Sequence, residues 1–262
     1  IMGFASQGAE SKGIDMIRPL LWDANWNVRQ AAALGVGIAL QGTGREEAIE
    51  LLEPLLRDER DEIRLGAILG IALTFFGTCD IAPIGFYEKM LTDKSSDVRL
   101  AVPFCVGLLF SGKGDEGLIF LEALLQERDE YIRMGASLGI AMAYKGVGEK
   151  SLYALKRFLT HRSWYVRLGA TLGISLAFQG YIDKGIAVLK KLLEHGDDYV
   201  KLGAAFGTGI IFQGTGESRI DILEPLLSHR NDLIRLGSAL GVGLSHIKSR
   251  NKPVSYGILH YC

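Results

Sequence analysis

Residues 63–76 read Ile-Arg-Leu-Gly-Ala-Ile-Leu-Gly-Ile-Ala-Leu-Thr-Phe-Phe, an apolar segment that contains two glycines and few polar side chains. Related segments recur along the chain, and each can be aligned on one basic residue that follows a valine or an isoleucine. The aligned basic residues are Arg29, Arg64, Arg99, Arg133, Arg167, Lys201 and Arg235. Consecutive members are 34 or 35 residues apart. Such a constant period predicts a tandem array of one structural unit.

Each repeat carries the signals of two helices. In six of the seven repeats the residue four positions before the basic residue is Asn, Asp or Ser, types that cap helix N-termini. In the first six repeats a glycine stands thirteen positions after the basic residue, where a second helix such as Ile63–Phe76 would end. The segment before it, such as Arg45–Leu56, has the apolar spacing of an amphipathic first helix. The prolines near the end of three first helices predict a kink there: Pro19, Pro54 and Pro225.

The pattern predicts an all-α solenoid of helix-turn-helix repeats, curved or ring-like, with an inner layer of glycine-rich helices. No segment of useful length has the alternation of a β-strand. We expect the array to span residues 1–248, with about seven units and a partial first one, and residues 249–262 to be irregular. Because Gly3 and Gly8 fit the middle of a unit and the pattern fails at Lys248, we also expect a segment of a longer polypeptide.

Glycine recurs inside the second helices, two and six positions after the basic residue. Eleven of these fourteen positions are glycine. The glycines six positions after the basic residue, called here the glycine column, are Gly35, Gly70, Gly139, Gly173, Gly207 and Gly241. Each glycine inside a helix costs about 0.5–1 kcal/mol relative to alanine, so a compensating contact is expected. Residues four apart share one helix face, and the missing side chains predict a close approach of neighbouring second helices. A membrane role is disfavoured because the apolar stretch of 12 residues from Leu65 to Phe76 is shorter than the roughly 20 residues that span a bilayer.

The glycine helix together with the turn that follows it resembles the proteasome/cyclosome repeat. The resemblance is carried by Leu34-Gly-Val-Gly-Ile-Ala-Leu-Gln-Gly-Thr-Gly44, by Arg64–Leu73 with Gly77-Thr78, and by Leu202–Gly209 with Gly214-Thr-Gly216. Within that family the run Gly42–Pro54 looks most like the larger non-ATPase scaffold subunit of the proteasome regulatory particle base. The resemblance implies a ring of two concentric helix layers that docks ATPases, lid subunits and ubiquitin-handling factors. The long accessory segments of those subunits are missing here.

Composition favours no other class. Net charge is −1 and no block of like charges stands out, which argues against nucleic-acid or anionic-membrane binding. The column of basic residues is expected to form ion pairs between neighbouring repeats, exposed and therefore weak, with a basic groove as the alternative. The histidines His161, His195 and His229 occupy one polar turn position, where metal binding is the alternative. The Gly-Thr-Gly turns lack the lysine and the strand of a phosphate loop.

No constellation of catalytic residues is found, so we expect no enzyme, no cofactor and no metal. Two surfaces are candidates for partner binding. One is an aromatic patch near the turns before second helices, made by Trp22, Trp26, Trp164 and Tyr165. The other is the exposed side of the first helices, with residues such as Glu46, Glu47 and Glu50.

The sequence therefore predicts a non-catalytic scaffold for other proteins in the ubiquitin–proteasome system, with no nucleic-acid, membrane or small-molecule partner. Three cysteines without paired spacing fit a reducing compartment, and a cytoplasmic or nuclear location is expected. A scaffold segment of the anaphase-promoting complex is the alternative within the family. From another class, a helical-repeat enzyme or a nucleic-acid-binding solenoid stays open.

Overall fold

The structure is a computed structural model that describes residues 10–213 and 220–246. The chain divides into two compact units, residues 1–144 and 145–262. All regular structure in the described ranges is helical, which confirms the all-α solenoid. No helix among the described residues is long and apolar enough to cross a membrane. Gly3, Gly8, Gly214 and the expected irregular segment 249–262 lie outside the described residues, and the predicted bounds of the array stay a prediction.

First and second helices alternate in both units. In unit 1 they are α1 (Glu10–Ile17), α2 (Trp26–Ala39), α3 (Glu47–Leu52), α4 (Asp61–Thr74), α5 (Ile84–Met90), α6 (Ser96–Leu109), α7 (Asp115–Leu121) and α8 (Glu130–Ala143). In unit 2 they are α9 (Lys150–Leu155), α10 (Trp164–Ala177), α11 (Ile182–Leu193), α12 (Asp198–Phe212), α13 (Ile220–Leu227) and α14 (Asp232–Ser245). The even-numbered second helices carry most of the buried residues.

Several first helices tighten into a short 3-10 helix before the turn. Glu53–Arg57 follows α3 directly, and Pro54 stands in its first turn, as Pro19 does in Arg18–Trp22. The prediction that proline causes a kink at the end of a first helix is only partly right. Two 3-10 helices form without proline, Ala123–Gln126 and Lys156–Thr160, and Pro225 lies inside α13. The tighter helix still buries the apolar pair, for example Leu55 and Leu56. The tightening is therefore a property of the repeat.

Every described second helix begins directly after the residue four positions before its basic residue, and in six of the seven this is a predicted N-cap; the exception is Arg60 before α4. The cap side chain accepts from a backbone N–H of the first turn in Asn25, Asp129, Asp197 and Asn231. Ser95 makes no such bond, because its hydroxyl donates instead to Asp61 Oδ2 of the preceding repeat at 2.9 Å.

Neighbouring second helices meet at glycines. A Cβ on Gly70 of α4 would lie 2.5 Å from the Ala33 carbonyl oxygen of α2, and a Cβ on Gly37 would lie 2.6 Å from Gly70 Cα. Two further pairs meet in the same way, Gly107 with Gly139 and Gly209 with Gly241. Gly70, Gly139 and Gly241 are glycines predicted six positions after the basic residue of their repeat. Their partners, Gly37, Gly107 and Gly209, stand eight positions after the basic residue of the preceding repeat. Contact at this distance requires that neither helix carries a side chain there.

The remaining positions of the glycine column are less tightly packed or packed differently. A Cβ on Gly35 would lie 3.5 Å from Ile17 Cδ1, an ordinary van der Waals distance, and one on Gly207 would overlap Ser175 Oγ. Gly173 is buried inside α10. Between α4 and α6 the corresponding residues are Ala72 and Cys105, both fully buried. These two helices contact each other less extensively than α2 and α4, because two side chains separate the backbones.

The glycine turns join each repeat to the next. The N–H groups of Gly42 and Gly44 donate to the carbonyl oxygens of Leu73 and Thr74, at the end of the following second helix, both at 3.0 Å. The same pair of bonds recurs from residues 77 and 79 and from residues 146 and 148. A helix end leaves its last carbonyls without partners inside the helix, so each turn caps the helix of its neighbour.

Cys79 occupies one of these turn positions with a backbone φ of +60°, whereas Gly44, Gly114 and Gly148 occupy it in three other repeats. After Gly180 the equivalent residue is Ile182, which begins α11. A residue with a Cβ is strained in the Cys79 conformation by roughly 1–2 kcal/mol. Cys79→Gly is therefore expected to raise the free energy of unfolding by about 0.5–1 kcal/mol, after the entropy that glycine adds to the unfolded chain. Urea unfolding of the purified chain measures the change. Cys79→Ala is the matched control, since it keeps the strained backbone; an equal gain in both variants would contradict the argument.

Candidate interaction surface

The arginines of the repeat column are held by their own repeat. In each described case Nη1 donates to the carbonyl oxygens six and five residues earlier, so that Arg64 binds the carbonyls of Asp58 and Glu59 at 2.8 and 3.0 Å. The same pair of bonds is made by Arg29, Arg99, Arg133, Arg167 and Arg235. Lys201 has a single ammonium and lacks the guanidinium fork that makes such paired bonds. The guanidinium thus fixes the turn between the two helices of a repeat.

Four arginines also reach an aspartate of the following repeat. The contact between Arg64 and Asp93 is bidentate, with Arg64 Nη2 2.6 Å from Asp93 Oδ1 and Arg64 Nε 2.7 Å from Asp93 Oδ2. The other pairs are Arg29–Asp58, Arg99–Asp129 and Arg167–Asp197. The expectation of exposed pairs is wrong for Arg64 and Asp93, whose side chains are only 5% and 8% exposed. The acidic partners and the engaged donors disfavour a basic groove along this column.

Burial and hydrogen bonding act in opposite directions on Asp93. Burial raises the pKa of its carboxyl, while the hydrogen bonds from Arg64 and from the Ser95 N–H lower it, as does the Arg64 charge. The lowering effects are larger together, so the pKa of Asp93 lies below its usual value. The hydrogen bonds that Arg64 donates to Asp93 raise the pKa of Arg64 in turn. Both groups are therefore ionised at neutral pH, as a buried ion pair requires.

Three histidines take the hydrogen-bonding role that aspartates have at the same position of earlier repeats. His161, His195 and His229 each accept, through Nδ1, the backbone N–H two residues later at 3.0–3.1 Å. In earlier repeats Asp58 Oδ1 and Asp93 Oδ1 accept the equivalent N–H. No group of three potential metal ligands exists in the described part of the chain. These histidines are turn residues whose Nδ1 is occupied.

Neither the glycine turns nor the two described cysteines have the features of an anion-binding loop or a reactive thiol. The N–H groups of Gly42 and Gly44 already bind carbonyl oxygens, so they form no anion-binding loop. Cys105 is fully buried, and burial raises the pKa of its thiol; burial also raises the pKa of the Cys79 thiol. A reactive cysteine needs a lowered pKa, and neither residue has one.

The predicted aromatic patch is split between the units. In unit 2 the Trp164 ring stacks on Tyr199 of the next repeat at 4.6 Å and contacts Tyr165 at 3.8 Å. In unit 1 the Trp26 ring lies 5.0 Å from the Arg60 guanidinium, and Trp22 is 62% exposed. Tyr199 was missed by sequence reasoning, although its place one repeat after Tyr165 could have indicated it. Two of the four predicted rings, Trp26 and Trp164, therefore contact the next repeat.

The two units differ in net charge. Residues 1–144 contain 13 Lys and Arg against 21 Asp and Glu, a formal net charge of −8, whereas residues 145–262 contain 16 against 9, a net charge of +7. Glu46 and Glu50 are exposed on the acidic unit, and Glu47 pairs with Arg18 at 3.0 Å and with Arg45 at 2.8 Å. The near-neutral total hides this separation, which the sequence analysis did not detect.

A family model described as the proteasome/cyclosome repeat matches residues 31–65. These residues run from the glycine-rich part of α2 through the Gly-Thr-Gly turn and α3 to the start of α4. Residues 31–65 are thus similar to a proteasome/cyclosome repeat. The other described second helices carry the same basic residue position and small residues at the same two positions. Gly37 lies inside the matched segment, and Gly70, on which it packs, lies five residues beyond it.

Comparison with curated proteins gives no significant match to the chain. Among solved structures, 74 chains match significantly. An engineered protein is 17% identical with a TM-score of 0.34, over 88% of this chain and 96% of that one. The complex of CpcE and CpcF of phycocyanin lyase from Nostoc is 17% identical with a TM-score of 0.44, over 88% and 94%. Human deoxyhypusine hydroxylase is 16% identical with a TM-score of 0.37, over 93% and 88%.

Proposed function

We propose that this chain is a non-catalytic scaffold that binds other proteins in the ubiquitin–proteasome system, as a segment of a regulatory-particle subunit. The observation that supports the proposal is the match of residues 31–65 to the proteasome/cyclosome repeat. Most of the other described second helices share its N-cap residue type, its arginine and its glycine contacts. Tandem helical repeats present extended surfaces suited to protein partners. The buried faces of the second helices consist largely of Gly, Ala, Ile and Leu, which position no reacting group.

The partners fit the same proposal. ATPase, lid or ubiquitin-handling proteins would dock on the exposed sides of the first helices, where charged side chains such as Glu46 and Lys190 are presented. The scaffold needs no cofactor and no small-molecule substrate, and it would act in the cytoplasm, in the nucleus or in both.

Affinity purification with mass spectrometry tests the proposal. The tagged chain, expressed in cells of its source, is expected to recover regulatory-particle subunits in near-equal amounts, while the tag alone recovers none. Recovery of anaphase-promoting-complex subunits instead would transfer the scaffold role to that assembly. Recovery of neither set would defeat the family-based function.

A further inference from the structure

The outward faces of α9 and α11 in unit 2 carry basic residues in register. Position by position, 34 residues apart, the pairs are Lys150 with Lys184, Lys156 with Lys190 and Arg157 with Lys191, and all six side chains are exposed. Lys184 Nζ lies 2.9 Å from Glu149 Oε1, which places the first turns of the two helices side by side. The six cations therefore belong to one continuous surface, called here the basic outer face.

An aromatic ring stands at the middle of this face. Tyr153 is 96% exposed, between Lys150 on one side and Lys156 and Arg157 on the other. The equivalent residue of α11 is Ala187, also exposed. A ring beside a small residue leaves a step on the surface against which an apolar side chain can pack. An exposed tyrosine of this kind contributes contact area at low entropic cost when a partner covers it.

The charge of this face is not imposed by the fold. At the same three repeat positions the first helices of unit 1 carry both signs: the acids are Glu47, Glu53, Glu88, Glu116 and Glu122, and the basic residues are Lys12, Arg18 and Lys89. The repeat tolerates either sign there because these positions point away from the core. A uniform change to Lys and Arg over two consecutive repeats is therefore a property of the surface, and it matches partners of negative charge.

The arrangement favours a protein segment over a nucleic acid. Acids interrupt the basic outer face at its edges, namely Glu149, Asp183 and Glu194, and they would repel the continuous charge of a phosphate backbone. A peptide can place its carboxylates only opposite the cations. Neighbouring helices lie about 8–10 Å apart, and three residues of an extended chain span about 10 Å. Acidic residues at every third position would thus meet successive cations.

We propose that the basic outer face docks an extended acidic segment of a partner protein, with one apolar side chain of that segment against Tyr153. This inference rests on the proposed function, because it takes the partner to be a protein. Lysines and arginine on one side and carboxylates on the other bring the two chains together quickly and set their register. The contact of the apolar side chain with Tyr153, beside the smaller Ala187, determines which residue of the segment lies at the centre.

The test measures binding of a fluorescein-labelled peptide by fluorescence anisotropy, with the whole chain as the protein. The peptide carries glutamate at every third position, one central phenylalanine and serine elsewhere; a matched peptide has glutamine in place of each glutamate. Lys156→Glu with Lys190→Glu is expected to weaken binding about tenfold. The matched control is Arg162→Glu with Arg230→Glu, the same charge change at exposed turn positions, and it is expected to change affinity by about twofold or less. Tyr153→Ala should weaken binding by about threefold to tenfold through lost apolar contact.

Three results would overturn the inference. They are equal weakening by the two charge-reversed pairs, undiminished binding of the glutamine peptide, and tighter binding of a single-stranded oligonucleotide of equal charge. Circular dichroism of each variant verifies that the exposed substitutions leave the fold intact. The failures are distinguishable, because a chain that binds the peptide yet recovers no regulatory-particle subunits loses the proposed assembly but keeps this surface. A chain that recovers regulatory-particle subunits yet does not bind the peptide keeps the proposed assembly and loses only the docking role of the basic outer face.

Discussion

Gly70→Ala is expected to lower the free energy of unfolding by about 1–2 kcal/mol, although alanine is the better helix former. The helix preference of alanine is worth about 0.5–1 kcal/mol. Against it, the new Cβ would lie 2.5 Å from the Ala33 carbonyl oxygen and 2.9 Å from Leu52 Cδ1. Overpacking of this kind costs about 1–3 kcal/mol, and a backbone oxygen cannot rotate away as a side chain can. The steric cost therefore exceeds the helical gain.

Gly85→Ala is the matched control. Gly85 lies in α5, and nothing stands within 4 Å of a Cβ placed on it, so this variant keeps only the helical gain and should be stabilised slightly. Thermal and urea unfolding of both variants give the comparison, at about 2–4 °C of melting temperature per kcal/mol. Gly70→Leu should prevent the α2–α4 contact altogether. If Gly70→Ala were as stable as Gly85→Ala, the close-packing explanation of the glycine column would be wrong.

The second large effect is expected at the buried ion pair. Arg64→Met should destabilise the chain by about 3–5 kcal/mol, because it leaves the Asp93 carboxylate buried without its partner. The substitution also removes the donors to the Asp58 and Glu59 carbonyls. Arg57→Met is the control, since its side chain is 80% exposed and its pair with Glu53 spans one helical turn. That pair is worth about 0.5 kcal/mol or less, and a similar loss in both variants would refute the role of burial.

The same pair gives the stability a defined pH dependence. The pKa of Asp93 is lower in the folded chain than in the unfolded one, so its contribution is fully present above the unfolded value of about 3.9. It is lost as the pH falls below that value and through the folded pKa. The difference in unfolding free energy between the wild type and Asp93→Asn should thus be constant near neutral pH and shrink in acid below about pH 4. A difference that shrank near pH 7 would point to another group.

The helical repeat could be read from the sequence because its signals are local. The cap at Asn25 and the glycine at residue 42 bracket one helix, and the predicted second helix at residues 63–76 differs from the observed Asp61–Thr74 by two residues at each end. The 3-10 helix Glu53–Arg57 was not predicted, because α and 3-10 helices share nearly the same apolar spacing over five residues. The hydrogen bonds from each arginine to the carbonyls five and six residues earlier were not predicted either. Their acceptors are backbone carbonyls, which every residue has, so no sequence pattern indicates them.

The candidate surfaces were harder to predict than the fold. Glu46 and Glu50 were expected to be exposed and are, but the opposite charges of the two units cancel in the total, so the basic outer face was hidden. The aromatic residues were located correctly near the turns, while the stacking of Trp164 on Tyr199 depends on which repeats are neighbours in space. Burial of the Arg64–Asp93 pair also depends on packing between repeats, which a period alone does not specify.

The bonds from the glycine turns make each repeat a reporter on its neighbour. The amide protons of Gly42 and Gly44 are held by Leu73 and Thr74 of the following second helix, so they exchange with solvent deuterium only when that neighbour opens or the turn detaches. The protons of Gly146 and Gly148 report in the same way on the end of α10. Exchange rates at a few glycines could thus map, repeat by repeat, how far an unfolding event travels along the chain.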